Sequence, residues 1–212
     1  MLRFLLWLVL PVFAAGCAQL AEPVWAPDAD VARARYVHPG PPVLTLYTVI
    51  NNYHGRGEHS ALMVDGAQRV IFDPAGTFYH PHLPERNDVH FGMSDPAVEF
   101  YIDYHARESY HVIEQSLTVS PEVAALALQA VQDYGAVPKT QCARAVSDIL
   151  AALPGFEATP RTISPRAVMN AFGAHPGVRE RKIRDDSPDD NSGLIQAPPL
   201  LHQQAGFAGS LG

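Results

Sequence analysis

The pair Asp65-Gly66 does most to limit what this chain can fold into. Asp-Gly favours the positive backbone angles of a tight hairpin turn, and here it separates two short apolar runs, His59–Val64 (HSALMV) and Arg69–Asp73 (RVIFD). Runs joined so closely must pair antiparallel. In a simple hairpin register, with Val64 opposite Gln68, His59 faces Asp73 across the ladder. A slip of one residue would turn Asp73 to the other face. Val43–Ile50 (VLTLYTVI) reads as a buried strand before this hairpin, and Val98–His105 and Tyr110–Val119 read as two more after it. Residues 51–58 form a Gly-containing turn, and residues 74–96 form a long loop rich in Pro and His, of the kind that carries binding functions.

Helical signals fill the second half. Ser120-Pro121-Glu122 supplies a cap, a proline for the first turn and an acid near the positive end, followed by Val123, Leu126, Ala127, Ala130 and Val131 as the apolar stripe. Lys139–Leu153 (KTQCARAVSDILAAL) is a second helix. Thr140 is its candidate N-cap, and Ala143, Val146, Ile149, Leu150 and Leu153 recur at helical spacing. Ser164-Pro165 opens a third, short helix. Strands followed by helices give an α+β class, an antiparallel sheet first and packed helices after it.

The two ends differ from this middle. Arg3 precedes an apolar run, Phe4–Ala15, which is too short to span a bilayer and ends in Ala14-Ala15-Gly16-Cys17. Small residues directly before a cysteine resemble the bacterial lipobox, with Ala14 where Leu is more usual. The resemblance implies residues 1–16 as a lipoprotein signal peptide, Cys17 as the lipidated residue, and a membrane partner reached through that lipid. Ala18, rather than Asp, favours the outer membrane, facing the periplasm. Residues 17–42 then read as a largely extended tether, 43–184 as the folded domain and 185–212 as a disordered tail. A net charge of −7 without a Lys/Arg-rich run excludes nucleic acid as an expected partner.

The chain has two cysteines. With Cys17 carrying lipid, Cys142 has no partner in the chain, and an unpaired exported thiol must be either buried or used. At a helix start it meets unpaired N–H groups and the positive end of the helix dipole, both of which favour a thiolate. One reading makes Cys142 a small buried residue; the other makes it a nucleophile. The second needs an imidazole, a polar group to orient it and donors for an oxyanion. His59 is the candidate base, Asp73 the candidate orienter, and His80 the reserve orienter. His80, His82 and His90 share a loop, but no second cysteine or acid cluster accompanies them, so neither a metal site nor a cofactor is expected.

Together GEHSALMV, the hairpin to RVIFDPAG, TQCARAV opening a helix and SPRAVMNAF resemble the circularly permuted branch of the NlpC-type papain-like superfamily, in which the histidine-bearing strands precede the cysteine-bearing helix. The resemblance covers residues 44–172. It implies a permuted papain-like fold with Cys142 as nucleophile, His59 as base, and a third residue on the following strand, where Asp73 fits. Members often have Asn before the cysteine; here Gln141 stands there, as an oxyanion donor or as a polar first-turn residue beside the Cys142 backbone N–H. The implied activity is amide or ester hydrolysis, or acyl transfer, with peptidoglycan stem peptides the first substrate expectation and lipid amides or esters the second. The alternative is a non-enzymatic envelope lipoprotein that keeps the fold for binding.

Overall fold

The computed structural model describes residues 21–191, so Cys17, the signal segment and the chain from residue 192 on lie outside the described residues. The run VLTLYTVI becomes β1 (Val43–Asn51) and is buried between two antiparallel neighbours, β2 (Gly57–Asp65) and β6 (Tyr110–Thr118). β3 (Arg69–Phe72), β5 (Val89–Phe91) and β4 (Glu85–Arg86) extend the sheet on one side, and β7 (Arg179–Arg184) closes the other. The result is one open sheet of seven antiparallel strands in the order β4-β5-β3-β2-β1-β6-β7.

Because strand side chains alternate, the sheet carries two cores. Leu44, Leu46, Leu62, Val64 and Phe72 face the helices α3 (Pro121–Asp133), α4 (Cys142–Ala151) and α5 (Pro165–Gly173). Tyr47, Ala61, Met63 and Ile71 face α2 (Asp95–His105). The chain is therefore mixed α+β, with a seven-stranded antiparallel open sheet and five helices among the described residues.

Residues 98–105 are helical, which corrects the strand expected there. Ala97, Tyr101, Ile102 and Tyr104 are buried at helical spacing, and Pro96 lies in the first turn behind Ser94. The aromatic and β-branched content of VEFYIDYH mimics a strand, but Ser94-Asp95-Pro96 carries the same start signal that opens α3 and α5. The hairpin also differs from its expected register. Asp65 pairs with Arg69 and Leu62 with Phe72, so the turn is three residues long, Gly66-Ala67-Gln68. This shift of two residues leaves every side chain on its expected face.

Within residues 21–42 the extended tether is interrupted by α1 (Asp28–Ala34), whose acids Asp28 and Asp30 lie in the first turn and Arg33 in the last, matching the helix dipole. Ala34 is buried and Val31 packs on the sheet–helix core. Gly92, at φ +80°, leaves room for it: a Cβ there would lie 2.8 Å from the Ala34 carbonyl. The strand β7 (RERKIR) has no apolar alternation, and as a charged edge strand it needs none. Beyond it, Ser187 accepts from the Glu108 N–H at 2.9 Å, and Asp189 accepts from the Ser109 N–H at 3.1 Å, so the described start of the expected tail is hydrogen-bonded to the domain.

Candidate active site

α4 begins at Cys142, and the helix is strongly one-sided, with Ala143, Val146, Ile149 and Leu150 buried against the sheet. Its N-cap position is Gln141, not the expected Thr140, whose φ of +71° turns the chain into the helix. Cys142 is free and 6% exposed. β3 ends at Phe72, so the first half of β2 has no neighbour on that side. The Ser60 N–H on this uncovered stretch and the Ala143 N–H of α4 lie near enough to the Cys142 sulfur to favour its charged form. Burial pushes the thiol up, but the hydrogen bond and charge of His59, with these two amides, hold it below its ordinary value.

His59 sits between the thiol and a carboxylate. Its Nε2 donates to Asp73 Oδ1 at 2.7 Å, which leaves Nδ1 for the Cys142 sulfur. Burial lowers the imidazole's affinity for a proton; the Asp73 charge and hydrogen bond, aided by Cys142, overcome this and push it up to about 10. Burial likewise acts against the Asp73 charge, and the His59 charge and hydrogen bond hold that carboxyl well below the usual range. The three expected residues are thus brought together by a register two residues away from the expected one.

Asp73 has a further partner that sequence reasoning missed. Tyr101, 1% exposed, donates its hydroxyl to the same Oδ1 at 2.6 Å. It was hidden because it lies on α2, the element misread as a strand. Gly76 completes the cradle, since a Cβ there would lie 1.7 Å from Asp73 Oδ2. His105, also on α2, stacks parallel to the His59 ring at 5.7 Å and fixes its own tautomer by donating Nδ1–H to the Tyr101 carbonyl at 2.8 Å. His59, Asp73 and His105 bring three metal-ligating atoms within 4.8 Å of one another. In this structure the first two are joined by a proton.

The reserve orienter does not reach the site. His80 is 1% exposed, accepts from the His82 N–H at 3.2 Å through Nδ1 and packs edge-on against Phe100. His90 leaves the expected loop altogether, as part of β5 opposite Ile71. Gln141 is half-buried at the N-cap position, and its side chain makes no cap bond to α4.

The arrangement suits acyl transfer: a thiol, its pKa held below the ordinary value, at the start of a helix, an imidazole beside it, and a buried carboxylate bonded to that ring. No protein-family model, no curated protein and no solved structure matches this chain.

Proposed function

We propose that the protein is a cysteine-dependent acyl hydrolase or acyltransferase of the permuted papain-like, NlpC-type class. The observation that carries the reading is His59 placed beside both Asp73 and Cys142, with Nε2 bound to the carboxylate at 2.7 Å and the thiol held below its ordinary value by the ring. The histidine strand preceding the cysteine helix, β2 before α4, supports the permuted class.

In the mechanism, the Cys142 thiolate attacks an acyl carbonyl carbon, and the negative charge moves to the carbonyl oxygen. First-turn N–H groups of α4, which have no intrahelical acceptor, stabilise that oxyanion, with the Gln141 side chain as a second donor. His59 Nδ1–H gives its proton to the departing amine or alkoxide as the C–N or C–O bond breaks, leaving a Cys142 thioester. The now neutral imidazole takes a proton from water, or from an acceptor hydroxyl or amine, as that group attacks the thioester carbonyl. Collapse releases the acyl product and restores the thiolate–imidazolium pair. Throughout, Asp73 stays ionised and holds the ring's orientation.

A peptidoglycan stem-peptide amide is the proposed substrate, with the domain held at the envelope by lipid on Cys17. Among the described residues no helix is long and apolar enough to cross a membrane. The test is intact-mass measurement after incubation with p-nitrophenyl acetate, followed by digestion of isolated muropeptides. One acetyl group on Cys142, absent from Cys142→Ala and strongly reduced in His59→Ala, is expected. Equal acetylation of all three proteins contradicts the proposal.

A further inference from the structure

Asp73 also belongs to the wall of a cavity of about 260 Å³. That wall bears four carboxylates, of Glu22, Asp73, Glu85 and Asp88, against one ammonium, Lys139. Two buried polar atoms of wall residues have no partner among the described residues: Asp73 Oδ2 and His90 Nδ1, on side chains each only 2% exposed. Such groups are costly to bury unless something comes to bond them. Two unused acceptors thus belong to a wall on which acids outnumber cations even after Asp73 is paired with His59.

The ligand chemistry follows from what these groups refuse. An anion meets four carboxylates and a single ammonium. A neutral amide or hydroxyl leaves the field unbalanced. A compact metal ion needs ligand atoms that converge, and the wall carboxylates do not form such a group: among the described residues the one converging set is His59, Asp73 and His105. Dispersed acceptors suit a monocation with several N–H bonds on an alkyl stem. The protein supplies its own example, since the Lys139 ammonium donates to the Gly76 carbonyl on the cavity wall at 3.3 Å. Burial and the neighbouring acids push the Glu85 and Asp88 carboxyls up, as expected of acids short of a cation.

We propose that this cavity is the subsite for a primary ammonium group of the substrate, bonded by the free oxygen of Asp73 and the free ring nitrogen of His90 and neutralised by Glu85 and Asp88. Its part in substrate choice rests on the thiol chemistry proposed above; the binding itself does not need the thiol. Because Asp73 belongs to the cavity wall and bonds His59, an ammonium seated there lies beside the group that orients the base.

Binding is measured on the full chain carrying Cys142→Ala, by chemical-shift titration with propylammonium and with its neutral counterpart 1-propanol. Propylammonium saturates the site, and 1-propanol binds at least about tenfold more weakly. Glu85→Gln weakens propylammonium about fivefold or more, and Lys139→Met, which removes the competing ammonium, tightens it. Equal affinity for the two probes, lack of saturation, or an unchanged affinity in Lys139→Met overturns the subsite, the last even where Glu85→Gln does not fold. Acetylation of Cys142 in the wild type is read separately. Acetylation without amine binding removes the subsite alone; amine binding without acetylation removes its role in substrate choice.

Discussion

Replacing Asp73 by Asn keeps the shape of the buried side chain and removes its charge. In the native site that charge is the main reason the His59 imidazole is pushed up to about 10 despite its burial. His90 and His105, buried nearby without a carboxylate hydrogen-bonded to the ring, are pushed down to about 4. Without the Asp73 charge only Cys142 opposes the burial, and the proton affinity of His59 falls from about 10 to near its ordinary 6.5, a drop of about three pH units. The population of the thiolate–imidazolium pair falls about a thousandfold with it, since each unit is a factor of ten. A less stabilised thiolate is intrinsically more nucleophilic by a factor of about three per unit, so the net loss in reactivity is about 30- to 50-fold. The assay is the rate of Cys142 alkylation by iodoacetamide at pH 6, with circular dichroism to show that the variant is folded. A folded Asp73→Asn protein that alkylates within about threefold of the wild type, less than one unit's worth of net effect, refutes the reasoning.

Tyr101→Phe removes one of two donors to Asp73 Oδ1, and loss of a buried bond to a charged group lowers stability by about 1.5–3 kcal/mol in urea unfolding. The same change weakens the ionised carboxylate, so the acid limb of the alkylation profile moves to higher pH, a shift that a purely structural role would not produce. Gly76→Ala puts a methyl group 1.7 Å from Asp73 Oδ2 and displaces the carboxylate, giving a loss of alkylation rate comparable to Asp73→Asn although neither Cys142 nor His59 is altered. His80→Ala, by contrast, leaves the alkylation pH profile where it is, because His80 bonds His82 and not Asp73. Thermal unfolding across pH carries a further signature. His90 and His105 are held below 6.5 in the folded chain, so the unfolded chain binds more protons between pH 6.5 and 4, and stability falls as the pH drops through that window. Their combined slope reaches up to about 2.7 kcal/mol per pH unit, and His90→Gln removes up to about 1.4 kcal/mol per pH unit from the measured slope. The His59–Asp73 pair acts with different limits: His59 contributes stability fully below 6.5 and loses it as the pH rises through about 10, while Asp73 contributes above the ordinary carboxylate range and loses it on acidification.

The hairpin, the β1 and β6 strands and the helices α3 to α5 were legible in sequence because each combines an apolar period with a start or turn signal in neighbouring residues. The face shared by His59 and Asp73 was legible for the same reason, and it survived the register error because a shift of two residues preserves the face. The location of Tyr101 and His105 was not. Their segment is aromatic and β-branched, and burial of Ala97, Tyr101 and Ile102 against the second face of the sheet decides in favour of a helix, a fact of tertiary packing. Ser94-Asp95-Pro96 was the local clue. The strand β7 carries no hydrophobic signal because its pairing with β6 is made by backbone bonds and by charged pairs such as Arg181 with Glu114 at 2.9 Å. The cavity beside Asp73 is drawn from residues 22 to 139, and nothing local marks it.

Ultraviolet titration of the Cys142 thiolate at 240 nm, in the wild type and in His59→Ala, tests most directly whether the ring charges the sulfur. Thiolate absorbance that persists well below the ordinary thiol range in the wild type, and retreats to or above that range once the imidazole is gone, is the predicted result. A sulfur that titrates at the same pH with and without His59 contradicts the account.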